Sequence, residues 1–431
     1  MSKTVDINVH HVTRVEGHGN IRVRATDGVI EQCELAIVES PRFFESMVRG
    51  QPWSELHHIT ARICGICSIG HTTAACLAVE NAFGLTLRPQ DQLLRELLFY
   101  GEIMQSHLLH VYFLAAPDLL GVDSVIPLAT SHPEVVARAL RLKHWTNELC
   151  EAIAGRHTHP VAMVPGGFVY CPPKRALAQA RAGLLALKGD LLATVDTIAS
   201  LADRLPKFNR PTEFVALVDD KTYPWFWGRV GSTDAPSVAW PDYRQIVHEK
   251  VVRHSTSKHV SNKRESYMVG ALARVNLNYD RLTDLAKGVA ERLGLKPICC
   301  NPYMNSVAQV VEVADCYVHA ADALDRLLAM DLTLAPPVVT PRAGVGVGVA
   351  EVPRGALFHE YEFDDKGVCV RANLVIPTGQ NLANVEADMR ALVPQILDEP
   401  AESIQLKLEM LVRAYDPCIS CSVHLLNVDW I

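Results

Sequence analysis

A chain of 431 residues, 49% of them apolar, can bury one large core or divide into about three domains. A net charge of −7 without a Lys or Arg run argues against nucleic acid as a partner. There is no uncharged apolar run of membrane-spanning length, and Met1-Ser2-Lys3-Thr4-Val5-Asp6 offers neither an apolar signal core nor a twin arginine, so the expected location is the cytoplasm.

In chain order, residues 5–40 read as strands. Asn20 to Ala25 alternates, Thr26-Asp27-Gly28 offers a turn, and a β-favouring run resumes at Val29. The polar segment Arg14-Val15-Glu16-Gly17-His18-Gly19 interrupts them. Pro41 precedes Arg42-Phe43-Phe44-Glu45-Ser46-Met47-Val48, which reads as a helix start. Helical leucine spacing predicts a helix over 89–116, and further helices are expected over 133–156, 173–205, 279–293, 305–330 and 402–414. Residues 209–241, with Trp225, Trp227 and Trp240, read as irregular. A β-hairpin is expected over 356–376, turning at Asp364-Asp365-Lys366-Gly367. Ala343-Gly344-Val345-Gly346-Val347-Gly348 hints at a dinucleotide loop. It lies between Pro341 and Pro353 without the required strand and helix, so it reads as a tight loop or bulge. No repeat or linker divides the chain. The expectation is one mainly α domain over 1–431 with small β elements: an N-terminal β segment at 1–40 and the hairpin at 356–376.

Twelve cysteines in a large chain without a secretion signal point to metal ligands or redox groups more than to a disulfide framework. Only two pairs have Cys-x-x-Cys spacing: Cys64 and Cys67, followed by His71, and Cys418 and Cys421, followed by His424. Thiolates are soft ligands, and each pair can grip a metal from one side without closing a four-coordinate site. The chain therefore reads as a device for bringing both pairs to one buried metal. Ribbon-type zinc sites space their pairs about 15–20 residues apart, and a thioredoxin-like pair needs a βαβ context. Neither pattern is present. A histidine beside each pair favours a ligand or supporting role. Glu16, Glu45 and Arg354 would not be chosen by spacing alone.

Together, Arg-x-Cys-x-x-Cys near the front and Asp416-Pro417-Cys418-x-x-Cys421-x-x-His424 at the rear resemble the large subunit of nickel–iron hydrogenases. The resemblance continues through Arg14-Val15-Glu16-Gly17-His18, Pro41-Arg42-Phe43-Phe44-Glu45, Pro353-Arg354-Gly355 and Ile376-Pro377-Thr378, and so runs nearly end to end. Residues 414–424 are most similar to the cytosolic NAD(P)-linked branch, sulfhydrogenases included. The resemblance implies that Cys64 and Cys418 are terminal ligands of nickel, and that Cys67 and Cys421 bridge it to an iron carrying carbonyl and cyanide. Glu45, His424 and the Leu374 carbonyl would bind a magnesium ion. Glu16 would be the first proton acceptor. Arg354 would hang over the metals, held by Asp118. Pro377 and Thr378 would face the diatomic ligands, and His71 would support a bridging sulfur.

Hydrogen is apolar and a very weak acid, so heterolytic cleavage needs an electrophilic metal with a base beside it. A thiolate or Arg354 can take the proton, and Glu16 can pass it outward. The chain has no further cysteine cluster of iron–sulfur type, so an iron–sulfur small subunit is implied as electron acceptor. The branch further implies flavin- and NAD(P)-binding diaphorase subunits, nickel-insertion proteins and a maturation endopeptidase. Relatives often lose an extension after the final histidine; residues 425–431 are either that extension or a retained tail. Two rivals stand beside this reading. One is a non-catalytic relative like the quinone-site subunit of complex I, which lacks the cysteine pairs. The other is a zinc-bound scaffold.

Overall fold

The structure, a computed structural model, describes residues 4–423. His424 and the tail at 425–431 lie outside them. The expected mainly α architecture is what forms. Its centre is the helix Pro89–Leu109, which opens on a proline and runs through a π turn at His110–Ala115 into Ala116–Leu120. Leu93, Leu94, Leu97, Leu98 and Ile103 are all buried. They make the helix apolar over most of its circumference, as a helix enclosed by neighbours must be. Those neighbours are the helices Asn305–Ala329 and Pro133–Ala154.

The N-terminal strands form as read, as an antiparallel meander of Thr4–Val9, Gly19–Thr26 and Val29–Ile37. Their turn places Asp27 and Gly28 at φ 50° and 82°, which the Asp-Gly pair tolerates. The second hairpin also forms, as Gly355–Phe363 paired with Cys369–Val375.

Four expectations are corrected. The glycine run is neither loop nor bulge but the strand Gly344–Val352, paired along its length with Gly355–Phe363. It lies directly on the helix Ser68–Phe83: a Cβ on Gly346 or Gly348 would stand 1.9 Å from the carbonyl oxygen of Ala78 or Ala74. The alternate glycines permit that approach, and no phosphate is involved. Residues 209–241 are irregular only between strands. Glu213–Val218 pairs with Arg229–Ser232, which pairs with Val238–Ala239, while Tyr267–Met268 adds in parallel on the other side. Glu213–Val218 is covered on both faces, so no alternation marks it in the sequence. The helix expected over 173–205 breaks at Leu187 into Lys174–Ala186 and Lys188–Leu201. The one expected over 279–293 is a 3-10 turn, Tyr279–Arg281, followed by Asp284–Arg292. The helices Ser68–Phe83, Ala271–Asn278 and Pro377–Ile396 were not anticipated.

Candidate metal centre

The front cysteines sit where a loop becomes the helix Ser68–Phe83. Cys64 is extended and Cys67 is the residue before the first turn. Two amides at that helix start, of Ile69 and Gly70, donate to the buried carboxylate of Glu102 at 2.7 and 2.9 Å, which fixes the start against the central helix. The amides of Ile66 and Cys67 point at the Cys64 sulfur from 3.3 and 3.0 Å. Burial raises the Cys64 thiol, but the hydrogen bond from Cys67, the Arg354 charge and those amides outweigh it, and the net direction is down. Cys67 is driven up by the same sulfur–sulfur hydrogen bond and by burial. Unaided, the fold favours one thiolate of the pair; a bound cation is what makes both available as ligands.

The rear pair follows the helix Ala401–Ala414. Asp416 turns the chain in a left-handed conformation, φ 50°. Cys418 N donates to Thr378 Oγ1 at 2.9 Å and Ile419 N to the Glu16 carbonyl at 2.9 Å. Arg42 fastens this turn to the front loop. Its guanidinium donates to the carbonyls of Arg62 at 2.8 Å, Ile63 at 2.6 Å and Ser420 at 3.2 Å, and its amide donates to Val423 O at 2.7 Å.

The two pairs converge. Cys64 Sγ lies 3.6 Å from Cys418 Sγ, and the sulfurs of Cys64, Cys67 and Cys421 all lie within 4.8 Å of one another. The Cys418 and Cys421 sulfurs touch, as in a disulfide, with Cα atoms 5.6 Å apart. Thiolate–metal bonds of about 2.3 Å allow two sulfurs on one metal to be at most about 4.6 Å apart. All four side chains are no more than 3% exposed. Four buried sulfurs at this spacing are a soft donor set that fits a thiolate-bound metal pair.

Glu16 and Arg354 flank the sulfurs. Glu16 Oε2 is 3.2 Å from Cys418 Sγ and accepts from Ser420 N at 3.1 Å, while Oε1 accepts from Ser420 Oγ. Arg354 follows the strand Gly344–Val352 in a tight turn. Arg274 braces that turn through the carbonyls of Val352 and Pro353, at 2.9 and 3.1 Å, and is itself paired with Glu312 and Glu351 in the core. The expected partner of Arg354 is corrected: Asp416, not Asp118, holds it. Asp118 is occupied by Arg413 at 2.7 Å and by Arg14, and so ties the N-terminal segment to the last long helix.

Glu45 is 4% exposed, on the helix Phe44–Val48, and accepts from Leu374 N at 2.8 Å. Burial pushes its carboxyl up to about 7 despite that bond. The third residue of this group, His424, lies outside the described residues. His71 is fully buried four residues after Cys67, its Nδ1 3.2 Å from His359 Nε2. His359 in turn meets the Tyr361 hydroxyl at 2.7 Å. Pro377 and Thr378 open the helix Pro377–Ile396 beside Cys418. Asp416, Arg42, Glu102 and His359 were not foreseen as site residues. The first two lie inside the quoted motifs, where position was the only signal. Glu102 and His359 carry none.

The family model described as nickel-dependent hydrogenase matches residues 42–148 and 211–424. Sulfhydrogenase 1 subunit alpha of Pyrococcus furiosus is 32% identical over 98% of each chain. The NAD-reducing hydrogenase HoxS subunit beta of Cupriavidus necator is 30% identical over 96% of this chain and 94% of its own. Among solved structures, an NAD+-reducing nickel–iron hydrogenase in the H2-reduced state superposes with a TM-score of 0.87 at 29% identity, covering 98% of this chain and 99% of the other. A nickel–iron–selenium hydrogenase from Desulfovibrio vulgaris Hildenborough, at 22% identity and a TM-score of 0.77, covers 98% and 100% and shares the fold.

Proposed function

From the premise that the chain belongs to the nickel-dependent hydrogenase family, as a catalytic large subunit, we propose how its residues divide the cleavage of H2 into two protons and two electrons. Cys64, Cys67, Cys418 and Cys421 would hold the nickel–iron pair through their four sulfurs, with carbonyl and cyanide completing the iron. The observation that carries this reading is the 3.6 Å approach of Cys64 to Cys418 with Glu16 beside them. When bound, the nickel–iron pair supplies the electrophile that polarises H2 and takes up its electrons.

The chain's own groups handle the proton. Arg354 is buried among Asp416, Cys67, Cys64 and Glu16, whose charges raise its pKa against the burial penalty. It therefore stays a cation and polarises and orients rather than accepting a proton. That leaves the Cys418 sulfur as base, with Glu16 next at 3.2 Å and Ser420 beyond it. Glu16 is only half-buried, so it spans the step from enclosed sulfur toward solvent. Thr378 accepts from Cys418 N through its oxygen and keeps its own hydrogen to donate. At a helix N-terminus, that hydrogen suits a cyanide. His71, four residues after Cys67, would support one of the metal-bound sulfurs. Glu45, the Leu374 carbonyl and His424 would hold a magnesium ion, a hard cation to which two of the three donors offer oxygen.

Electrons leave to an iron–sulfur small subunit and from there, through flavin- and NAD(P)-binding subunits, to a nicotinamide acceptor. Support comes from the similarity to subunits of multi-subunit hydrogenases, one of them NAD-reducing. Among the described residues, the cysteine-containing metal groupings all belong to this one centre. Among them also, no helix is long and apolar enough to cross a membrane; we place the enzyme in the cytoplasm. The test is metal analysis and H2-dependent dye reduction on the protein purified with its partners. Nickel and iron in near-equal amounts with H2 uptake are expected. Zinc alone, or no metal and no uptake, overturns the reading.

A further inference from the structure

A second donor cluster lies away from the sulfurs. His254, His259 and Glu386 each offer one ligand atom, all within 4.8 Å of one another. Glu386 projects from the middle of the helix Pro377–Ile396, and His259 opens the strand His259–Ser261. His254 lies on the loop just before it. His254 Nε2 is 2.7 Å from Glu386 Oε1, and His259 Nε2 is 4.0 Å from the same oxygen. His259 is 4% exposed, and its Nε2 has no hydrogen-bond partner among the described residues. A buried ring nitrogen aimed at a carboxylate yet beyond bonding reach of it is anomalous, because buried polar atoms are normally satisfied.

We propose that His254, His259 and Glu386 form a second metal site, for a divalent ion of the zinc type. Two imidazoles and one carboxylate are a donor set zinc uses readily. Bonds of about 2.0–2.1 Å in a tetrahedron set donor atoms about 3.3 Å apart, and the observed 2.7 and 4.0 Å straddle that spacing. His254 is 21% exposed in its side chain, so the ion can enter from that side and keep a water as its remaining ligand. Burial, with the nearby His254 and Lys250, holds His259 neutral by lowering it to about 4, which leaves its lone pair free for a metal.

The site would brace rather than catalyse. Glu386 Oε1 also accepts from Leu35 N at 3.0 Å, on the N-terminal sheet. Between the histidines, Thr256 donates to the carbonyls of Ile37 at 3.0 Å and Glu39 at 2.7 Å. The next residues back the start of the helix that carries Thr378: Ser257 Oγ and the Lys258 carbonyl stand 3.4 Å from where a Cβ on Gly379 would be. One ion would thus join sheet, loop and helix next to the segment that backs Thr378.

The hydrogenase, purified with its partner subunits, is analysed for zinc, nickel and iron before and after dialysis against dipicolinate. The proposal expects about one zinc per chain beyond the nickel and iron. It expects a lower Tm after its removal, and recovery on adding zinc. Cobalt(II) in its place should give a visible tetrahedral absorption. His259→Gln and Glu386→Gln should each cut this zinc at least tenfold and leave nickel and iron unchanged. Should either fail to accumulate, His254→Gln, on the more exposed side, gives the same readout with little packing lost. A wild-type protein that takes up no zinc and shows no Tm response to it overturns the proposal: the histidines then form a plain ion pair with Glu386. Retention of the zinc by the variants overturns it equally.

Discussion

Arg354 is gripped at two points by Asp416: Nη2 lies 2.9 Å from its Oδ1, and Nε lies 2.8 Å from its carbonyl oxygen, while Nη1 reaches Ser106 Oγ at 3.4 Å. Gln309 fixes the other carboxylate oxygen at 3.0 Å. The guanidinium is therefore set by the same turn that carries Cys418. Asp416→Asn keeps the shape and weakens the grip, and a small misplacement of a reacting group costs up to about 100-fold. We expect H2 turnover to fall by 10- to 100-fold at unchanged nickel content. Asp118→Asn should do the opposite. It takes the counter-charge from Arg14 and leaves Arg413 only Glu409, so stability drops by about 3 kcal/mol while turnover per nickel stays near wild type. Thermal melts and activity per nickel distinguish the two; an equal loss of activity in both would restore Asp118 to the active site.

Glu16→Gln keeps the hydrogen bonds to Ser420 N but cannot carry a proton away from Cys418. Removing a positioned proton acceptor costs about 10²–10⁴ in rate. Turnover should fall by at least that lower figure with nickel and iron intact. Near-normal H2 oxidation would move the proton exit elsewhere.

Arg42→Lys tests the clamp between the two cysteine loops. A single ammonium cannot span the carbonyls of Arg62, Ile63 and Ser420, which the planar fork reaches together. The expected result is a loss of about 2 kcal/mol, reduced because the residue is only half-buried, with nickel content lowered several-fold. Wild-type metal content and melting would show the loops to be held by other contacts.

Gly348→Ala probes the packing of strand on helix. The new methyl would lie 1.9 Å from the Ala74 carbonyl, and that atom belongs to backbone that cannot swing aside. Overpacking of this kind costs about 3 kcal/mol or more. Soluble yield and Tm are the measurements, and an unaltered Tm would contradict the described contact.

His57 gives a pH prediction. It is 2% exposed, and burial, with His58 and Arg95, lowers it from 6.5 to about 3. Between those values the unfolded chain binds a proton that the folded chain does not. Stability is therefore complete above pH 6.5 and declines as the pH drops toward 3, by about 1.4 kcal/mol per unit. At pH 5 the loss is about 2 kcal/mol. His57→Phe should flatten the melting-temperature profile over that interval, and an unchanged slope would assign the acid sensitivity to other groups.

What could be read in advance followed physical rules. The helices Pro89–Leu109 and Asn305–Ala329 were legible because their leucines and valines recur at helical spacing between clear proline boundaries. The hairpin at Asp364–Gly367 was legible from its turn residues. The glycine strand was missed because its alternation is of glycine with valine, not of polar with apolar, and its reason is a neighbouring helix backbone far away in the chain. Glu213–Val218 was missed because both faces are covered. Within the site, the cysteines were legible from spacing, whereas the partner of Arg354 was not. Asp118 and Asp416 are both buried acids, and only the packing of Arg413 and Arg14 against Asp118 decides which one remains for Arg354.

The meeting of Cys64 with Cys418 spans 354 residues of chain. At translation rates of about 5–20 residues per second, the front thiols wait roughly 20–70 s for their counterparts to be synthesised. By the end of that interval a nascent protein with most of its helices already made carries a bare dithiol beside an unfinished wall. Any ribosome that stalls before Cys418 leaves a large product with only two of the four converging sulfurs.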